Sequence, residues 1–274
     1  MSTLLEIKGL RLAVREQTLI HDISLSLNVG EWLTIIGESG SGKTLTGLSI
    51  GQLLPHEVRH SAGEILLNGM PLQTLSEKEI NRLRGKEIGY IFQDYSSVFS
   101  PFITIGKQLN ETLQEHYSWG RKKRQHRIIQ ALEDVGLPAQ RVIKSYPFQL
   151  SGGQLQRVSI ATAMMLEPKL LIADEPTSAL DGITATDILE LLIRLRSNTG
   201  CTILFITHDL KLARGYSDQI AIMCKGNILE SGETQAVLSH STHAYTRKLL
   251  AAESLLTCTE PEHSIEHVKV GDSS

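Results

Sequence analysis

Residues 37–44 are Gly37-Glu38-Ser39-Gly40-Ser41-Gly42-Lys43-Thr44, which match the phosphate-loop pattern G-x-x-x-x-G-K-[ST]. An apolar segment at 31–36 predicts a buried strand directly before the loop, and residues 44–54 predict a helix that ends before Pro55. The glycines let successive N–H groups converge on phosphate oxygens at a helix start. Lys43 is expected to reach the β- and γ-phosphates, and the Thr44 hydroxyl to bind Mg²⁺. A ligand-free Gly/Ser-rich turn is the alternative, and it is disfavoured because pattern and context agree.

A second informative stretch is Leu170-Leu171-Ile172-Ala173-Asp174-Glu175, an apolar run that ends in two carboxylates. Such a run is typical of a buried parallel strand, and ligands of parallel sheets collect at the carboxyl ends of strands. Asp174 is expected to hold Mg²⁺ directly or through water, and Glu175 to accept a proton from an attacking water. The alternative is an acidic pair that starts a helix before Pro176.

A glycine turn, Leu150-Ser151-Gly152-Gly153-Gln154, precedes a segment with helical periodicity. Ser151 can cap the helix, and the two glycines allow close approach of the backbone to a phosphate. Free N–H groups at a helix start form an anion site. The chain therefore contains two candidate phosphate-binding turns.

The remaining pattern predicts an α/β fold. Between about 94 and 160 the strand signals give way to helical periodicity, which predicts a helical subdomain inserted into an α/β core. Strands are predicted at 4–14, 19–27, 31–36, 63–67, 88–92, 169–173, 201–206, 219–223 and 227–230; helices are predicted at 44–54, 77–83, 104–117, 122–135, from 151, and at 184–196, 234–238 and 243–252. Residues 1–252 are expected to form one domain, and 253–274 a polar, disordered tail.

Composition limits the possible function classes. The 274 residues carry a net charge of −3, so whole-chain charge indicates no nucleic-acid partner. No apolar run is long enough to span a bilayer, and no signal peptide is expected at the start. The three cysteines, Cys201, Cys224 and Cys258, are widely spaced and predict reduced thiols rather than a metal or disulfide framework.

With these motifs in order, residues 4–252 resemble the nucleotide-binding subunits of ABC transporters. The resemblance implies a P-loop NTPase core with an antiparallel β subdomain and an inserted α-helical signature subdomain, in which 150–154 is the family signature. It also implies that Gln93 senses Mg²⁺ and water, that 178–181 crosses between subunits, and that His208 contacts the γ-phosphate. Alone, His208 would more often be a capping or buried histidine.

The implied cofactors are ATP and Mg²⁺. In this family two subunits form a head-to-tail sandwich, so that each ATP lies between one chain's phosphate loop and the other chain's signature. The family usually stacks an aromatic residue on adenine, but the matching region, 12–16, contains none, and Val14 is the candidate for that position. The expected catalytic residues are Lys43, Gln93, Glu175 and His208; the expected metal ligands are Thr44, Gln93 and Asp174; the expected nucleotide-binding residues are Gly37, Glu38, Ser39, Gly40, Ser41, Gly42, Lys43, Thr44, Val14, Ser151, Gly152, Gly153, Gln154 and Asp181.

Flanking segments resemble the branch of importers for peptides, nickel and opine-like metallophores. The segment 243–250 is similar to that branch's His-Pro-Tyr-Thr segment, with Ala244 in place of proline. The stretches 54–59 and 62–65 are closer to the nickel-import ATPases. Cys258 alone cannot make the iron–sulfur cluster of some peptide members. Nickel and peptide cargo remain equally open.

The resemblance implies a second nucleotide-binding subunit, in a homo- or heterodimer, two membrane permeases and an extracytoplasmic substrate-binding protein. It places the chain peripherally on the cytoplasmic face of the membrane. An ABC-type ATPase that acts on ribosomes or DNA is the alternative, but such proteins usually carry tandem domains or a long coiled coil. An inactive scaffold is disfavoured by Glu175 and His208.

Overall fold

The computed structural model describes residues 2–178 and 180–257, with side chains described as far as residue 252. Within those ranges it contains two sheets, ten α-helices and two short 3-10 helices, Leu72–Thr74 and Pro147–Gln149. The strands are β1 (Thr3–Val14), β2 (Gln17–Asn28), β3 (Trp32–Ile36), β4 (Val58–Leu67), β5 (Met70–Pro71), β6 (Ile88–Ile91), β7 (Leu170–Asp174), β8 (Thr202–Thr207), β9 (Gln219–Cys224) and β10 (Asn227–Glu233). The helices are α1 (Lys43–Ile50), α2 (Glu77–Leu83), α3 (Ile105–His116), α4 (Arg121–Asp134), α5 (Ala139–Val142), α6 (Gly152–Met164), α7 (Gly182–Thr199), α8 (Leu210–Tyr216), α9 (Thr234–Ser239) and α10 (Ala244–Thr257).

The larger sheet has the strand order β10-β9-β3-β8-β7-β6. All neighbouring pairs from β9 to β6 are parallel, and β10 is antiparallel to β9. Every residue of β3, β7 and β8 is buried, because helices cover both faces of the sheet. The carboxyl ends of β3, β7 and β8 therefore lie side by side at one edge.

The smaller sheet, with the order β2-β1-β4-β5, is antiparallel. It begins with the predicted pair of N-terminal strands, β1 and β2. Strand β4 starts at Val58, earlier than the predicted 63, because residues 58–63 pair with the far end of β1 while most of their side chains stay exposed. Exposed strand residues lack the alternating apolar pattern on which the prediction depended. Together the two sheets confirm the predicted fold class.

Every regular secondary-structure element between β6 and β7 is a helix, as predicted. Helices α3, α4 and α6 share one apolar core, in which Leu109, Leu132 and Val158 are fully buried. Helix α6 continues to Met164, beyond 160. The limits of the helical subdomain, 94–160, and of the domain, 1–252, stay predictions.

Two helix ends differ from prediction. Helix α1 stops at Ile50 rather than 54, because Gln52 adopts a positive φ of 52°. Helix α10 continues to Thr257, so the tail predicted from 253 begins inside a helix, and 258–274 lie outside the described residues. Within the described part of the chain, no helix is long and apolar enough to cross a membrane.

Candidate active site

The phosphate loop joins β3 to α1 at the carboxyl edge of the larger sheet. Gly42 precedes α1 with a φ of 106°, a conformation that favours glycine. At Gly37 a Cβ atom would overlap the carbonyl oxygen of Met223 and lie 2.7 Å from Ser41 Oγ. The backbone therefore passes directly against the end of β9, where no side chain fits. The loop has the tight wrap that the pattern predicts.

Lys43 is buried beneath this loop. Its Nζ atom donates to the carbonyl oxygens of Gly37, at 2.8 Å, and Glu38, at 3.0 Å. Burial lowers the pKa of Lys43, and the charges of Glu175 and Asp174 partly oppose that change. An ammonium group has three N–H donors, so one remains for a phosphate oxygen.

Asp174 ends β7 opposite the loop and is 7% exposed. Burial raises its pKa, while a hydrogen bond with the Thr44 side chain and the charge of Lys43 act in the other direction. Its buried Oδ1 atom has no hydrogen-bond partner among the described residues. A buried carboxylate oxygen next to a hydroxyl fits Mg²⁺, which prefers oxygen ligands and keeps several waters. The donor set formed by Thr44 and Asp174 thus suits the metal.

Glu175 follows Asp174 and has the positive φ of 44°. Its amide donates to Ile206 of β8 at 2.9 Å, which fixes the backbone. Gln93 Nε2 donates to Glu175 Oε2 at 3.4 Å, and His208 Nδ1 lies 3.3 Å from Glu175 Oε1. The carboxylate is therefore oriented from both sides by residues that follow β6 and β8.

Lys43, Glu175 and the two residues that orient its carboxylate line one cavity of about 690 Å³, within the size range of small-molecule sites. Asp174 and Ser41, also predicted for the site, are not among its lining residues. Of the predicted residues, Gly37, Glu38, Ser39, Gly40, Gly42, Lys43, Thr44, Gln93, Glu175 and His208 line it, together with Ile36, Leu45 and Leu249, which the sequence did not single out. The sequence feature that could have identified Leu249 is its i,i+4 spacing from Tyr245 in the segment 243–250, which places both residues on one face of a helix.

The signature turn lies elsewhere on the molecule. Ser151 caps α6, since its Oγ atom accepts from the Gln154 amide at 3.3 Å, and Gln154 Oε1 accepts from the Ser151 amide at 3.2 Å. The predicted cap is present. Asp181 caps α7 in the same manner, because its carboxylate accepts from the amide of Thr184 at 3.0 Å and from its hydroxyl at 2.8 Å. A Cβ atom on Gly153 would lie 2.9 Å from Thr184 Cγ2, so the two helix starts are neighbours.

Residues 151–154 and Asp181 are not among the cavity-lining residues, and neither is Val14. Val14 ends β1, where it pairs with Gln17 and Val58 and is half-buried. Its role towards adenine stays a prediction. One chain therefore supplies the Lys43–Glu175 cavity and, on another surface, a second candidate anion site.

Comparisons with known proteins agree with this geometry. Residues 20–178 match the family model described as "ABC transporter". The chain belongs to the ABC transporter family.

Two curated relatives are both 40% identical to this ABC transporter chain. The metal-staphylopine import system ATP-binding protein CntD of Staphylococcus aureus aligns over 98% of each chain. The oligopeptide transport ATP-binding protein OppD of Bacillus subtilis aligns over 96% of this chain and 75% of its own length. One similar solved structure is the ATP-binding cassette MJ0796, a dimer in a post-hydrolysis state bound to ADP and Pi. It superposes on this chain with a TM-score of 0.74 at 28% identity. The superposition covers 84% of this chain and 98% of the MJ0796 chain. The chain is an ABC-type ATPase that binds ATP. Of the two curated relatives, one is named as the ATP-binding protein of an import system and the other as an ATP-binding protein of oligopeptide transport.

Proposed function

We propose that this chain hydrolyses ATP to power an importer of metallophore-bound metal, such as nickel, or of oligopeptides. The observation that carries the proposal is the Glu175 carboxylate, held between Gln93 and His208 at the cavity that contains Lys43. A carboxylate oriented in this way can accept a proton from a water directed at a phosphate. Relatives named for metal-staphylopine import and for oligopeptide transport support the transport role.

The chain's residues divide the work at this site. When bound, Mg²⁺·ATP would supply the phosphoanhydride bond that water breaks. The residues present fit both the nucleotide and the metal ion. Lys43 and the loop amides would bind phosphate oxygens, and Thr44 and Asp174 would hold the metal. Glu175 takes up the proton of water, while Gln93 and His208 keep its two oxygens oriented.

The site requires a second subunit, because Ser151 and Asp181 do not face the Lys43 cavity. We place them against the ATP of a partner chain, in a homo- or heterodimer; the dimeric MJ0796 cassette supports this arrangement. Two permeases, a substrate-binding protein and a peripheral position on the cytoplasmic face of the membrane complete the proposed importer. Nucleic acid has no part in it.

The test of the catalytic role is Glu175→Gln. Turnover should fall about 10²- to 10⁴-fold, because the amide cannot accept the proton. ATP binding should persist, and a dimer should accumulate in ATP. Glu190→Gln, which makes the same change at an exposed position of α7, is the matched control. Phosphate release and size-exclusion chromatography measure both effects, and wild-type hydrolysis in Glu175→Gln would reject Glu175 as the base.

Cargo needs a separate experiment. The tagged chain should copurify from detergent extracts with two permeases, and the system's binding protein should then be titrated with nickel–metallophore complexes and with oligopeptides. Binding of one class assigns the cargo. Copurification of ribosomes or DNA in place of permeases would contradict the importer.

A further inference from the structure

Glu175 has a strained backbone conformation. Its φ of 44° lies in the left-handed region, which residues other than glycine rarely adopt. The residue before a proline also favours extended conformations, and Glu175 precedes Pro176. A strained residue keeps its conformation only where its surroundings fix the backbone on several sides. The position of the Glu175 carboxylate therefore depends on the hydrogen bonds that surround this part of the chain.

These hydrogen bonds come from both directions along the chain and from two distant elements. The Glu175 amide donates to Ile206 of β8 at 2.9 Å. The Glu175 carbonyl oxygen accepts from the amide of Ser178 at 3.2 Å and from its hydroxyl at 3.1 Å. The next carbonyl oxygen, that of Pro176, accepts from Gln156 Nε2 of α6 at 2.8 Å. Strand β8 and helix α6 thus hold the backbone before and after the Glu175 side chain.

The bond from Gln156 restrains more than one peptide unit. Because the proline ring fixes its own φ, holding the Pro176 carbonyl also restrains the peptide bond that joins Pro176 to Glu175. Gln156 lies in the second turn of α6, the helix that Ser151 caps. The same helix therefore carries the signature turn at its start and, one turn later, a direct contact with the backbone next to Glu175.

Gln156 is a polar side chain that is 0% exposed. A carbonyl oxygen only accepts, so the NH₂ group of the Gln156 amide must face Pro176, which leaves Oε1 on the other side. That oxygen is buried and has no hydrogen-bond partner among the described residues. A half-paired buried amide is costly, and an apolar side chain of similar size would avoid the cost. Core packing alone does not account for an amide at this position, whereas the bond to Pro176 does.

We propose that Gln156 is a positioning residue for Glu175. Its bond to Pro176 holds the strained backbone conformation that keeps the Glu175 carboxylate at the cavity. The proposal rests on the proposed role of Glu175 as the base, and it assigns a part in hydrolysis to a residue outside the motifs of the site. Gln156 touches no reacting atom and acts only through Pro176 and Glu175.

The test is Gln156→Met in the full-length chain, which removes the donor and keeps an unbranched side chain of similar length. The kcat for ATP hydrolysis should fall about ten- to a hundredfold, because a small displacement of a reacting group causes losses of this order. The Kd for a fluorescent ATP analogue should stay at the wild-type value, since the phosphate loop is untouched. The melting temperature should also stay near wild type, because the substitution removes the hydrogen bond together with the unpaired buried oxygen. Thr162→Val, which removes a hydrogen bond to Val158 within the same helix, is the matched control and should keep the wild-type kcat.

A double-mutant cycle separates the positioning of Glu175 from other effects of the substitution. Once Glu175→Gln has removed the carboxylate, Gln156→Met should lower the residual turnover no further. The double variant should form dimers in ATP as readily as Glu175→Gln alone, because Ser151 still caps the signature turn. Gln156→Leu, which also lacks the donor, gives a second measurement if Gln156→Met folds poorly.

The outcomes distinguish this proposal from the proposed function. A wild-type kcat in Gln156→Met, a raised Kd for the ATP analogue, additive losses in the cycle or a loss of dimer formation would overturn the positioning role. If Glu175→Gln loses turnover while Gln156→Met keeps it, only the role of Gln156 is rejected and the proposed function stands. Wild-type turnover in Glu175→Gln would reject the base and, with it, the positioning role.

Discussion

Ser151 combines two roles that substitution can separate: the cap of α6, and the proposed contact with the partner chain's ATP. Ser151→Ala removes the acceptor for the Gln154 amide, at 3.3 Å, and should cost about 1 kcal/mol. For a chain of this length that corresponds to a fall in melting temperature of about 2–4 °C. Ser151→Asp keeps a good cap and adds a negative charge at a helix start, so the isolated chain should be as stable as wild type.

Dimer formation in the presence of ATP should rank the two variants in the opposite order, with Ser151→Asp weakened more than Ser151→Ala. An aspartate carboxylate about 4 Å from a phosphate charge costs about 4 kcal/mol at an effective dielectric constant of 20. That cost weakens each composite site about 10³-fold, and a symmetric dimer contains two. Ser151→Ala loses only one neutral hydrogen bond per site and should still pair, about tenfold more weakly for each.

The assay uses the Glu175→Gln background, in which pairing accumulates. Differential scanning fluorimetry gives the stability of each variant without nucleotide, and light scattering after size exclusion gives the dimer fraction across an ATP titration. Ser118→Asp, in an exposed loop, controls for the added charge. Normal pairing by Ser151→Asp would show that the turn is only a helix cap, and the composite site would be rejected.

Three further predictions concern residues expected to bind the nucleotide or its metal. Gly37→Ala should cost about 1–3 kcal/mol, measured by thermal unfolding, and should abolish binding of an ATP analogue, because its Cβ atom would overlap the Met223 carbonyl oxygen; unchanged binding would contradict the close approach seen here. Val14→Tyr should tighten ATP about three- to tenfold over wild type if Val14 faces adenine, and equal affinities in a titration would exclude that position. Because burial raises the folded-state pKa of Asp174, the folded chain holds this proton to a higher pH than the unfolded chain does; stability without ligand should therefore fall as pH rises from the ordinary aspartate range through the raised pKa. Asp174→Asn should remove that part of the pH dependence, and an unaltered denaturation-versus-pH curve would refute it.

Residues next in sequence to a strand end were predictable. Asp174 ends a buried apolar strand, Glu175 and His208 directly follow one, and Lys43 closes the loop that leaves another. Parallel strands place these carboxyl ends together. The sequence could not show which strands are neighbours, and the order β3-β8-β7 decides that His208 meets Glu175.

Contacts between distant segments were not predictable. Helix α1 ends early where Arg84 donates to the carbonyl oxygens of Gly51 and Gln52, both at 2.8 Å. These bonds satisfy carbonyl groups that a longer helix would have used.

The surface around the signature turn is itself an argument for a second subunit. The starts of α6 and α7 lie side by side there. The start of α6 is capped by the neutral Ser151 and can still attract an anion, whereas the Asp181 carboxylate already caps the start of α7. Beside them in sequence, Phe148 is 72% exposed and Ile183 is 81% exposed. Large apolar side chains next to an anion site are unfavourable in water but suit a surface that a partner covers while it presents a phosphate.

The Lys43 cavity offers the complementary half, a phosphate-binding loop open on one side. Two copies arranged head to tail would cover both surfaces at once, which accounts for the separation of the two phosphate-binding turns within one chain.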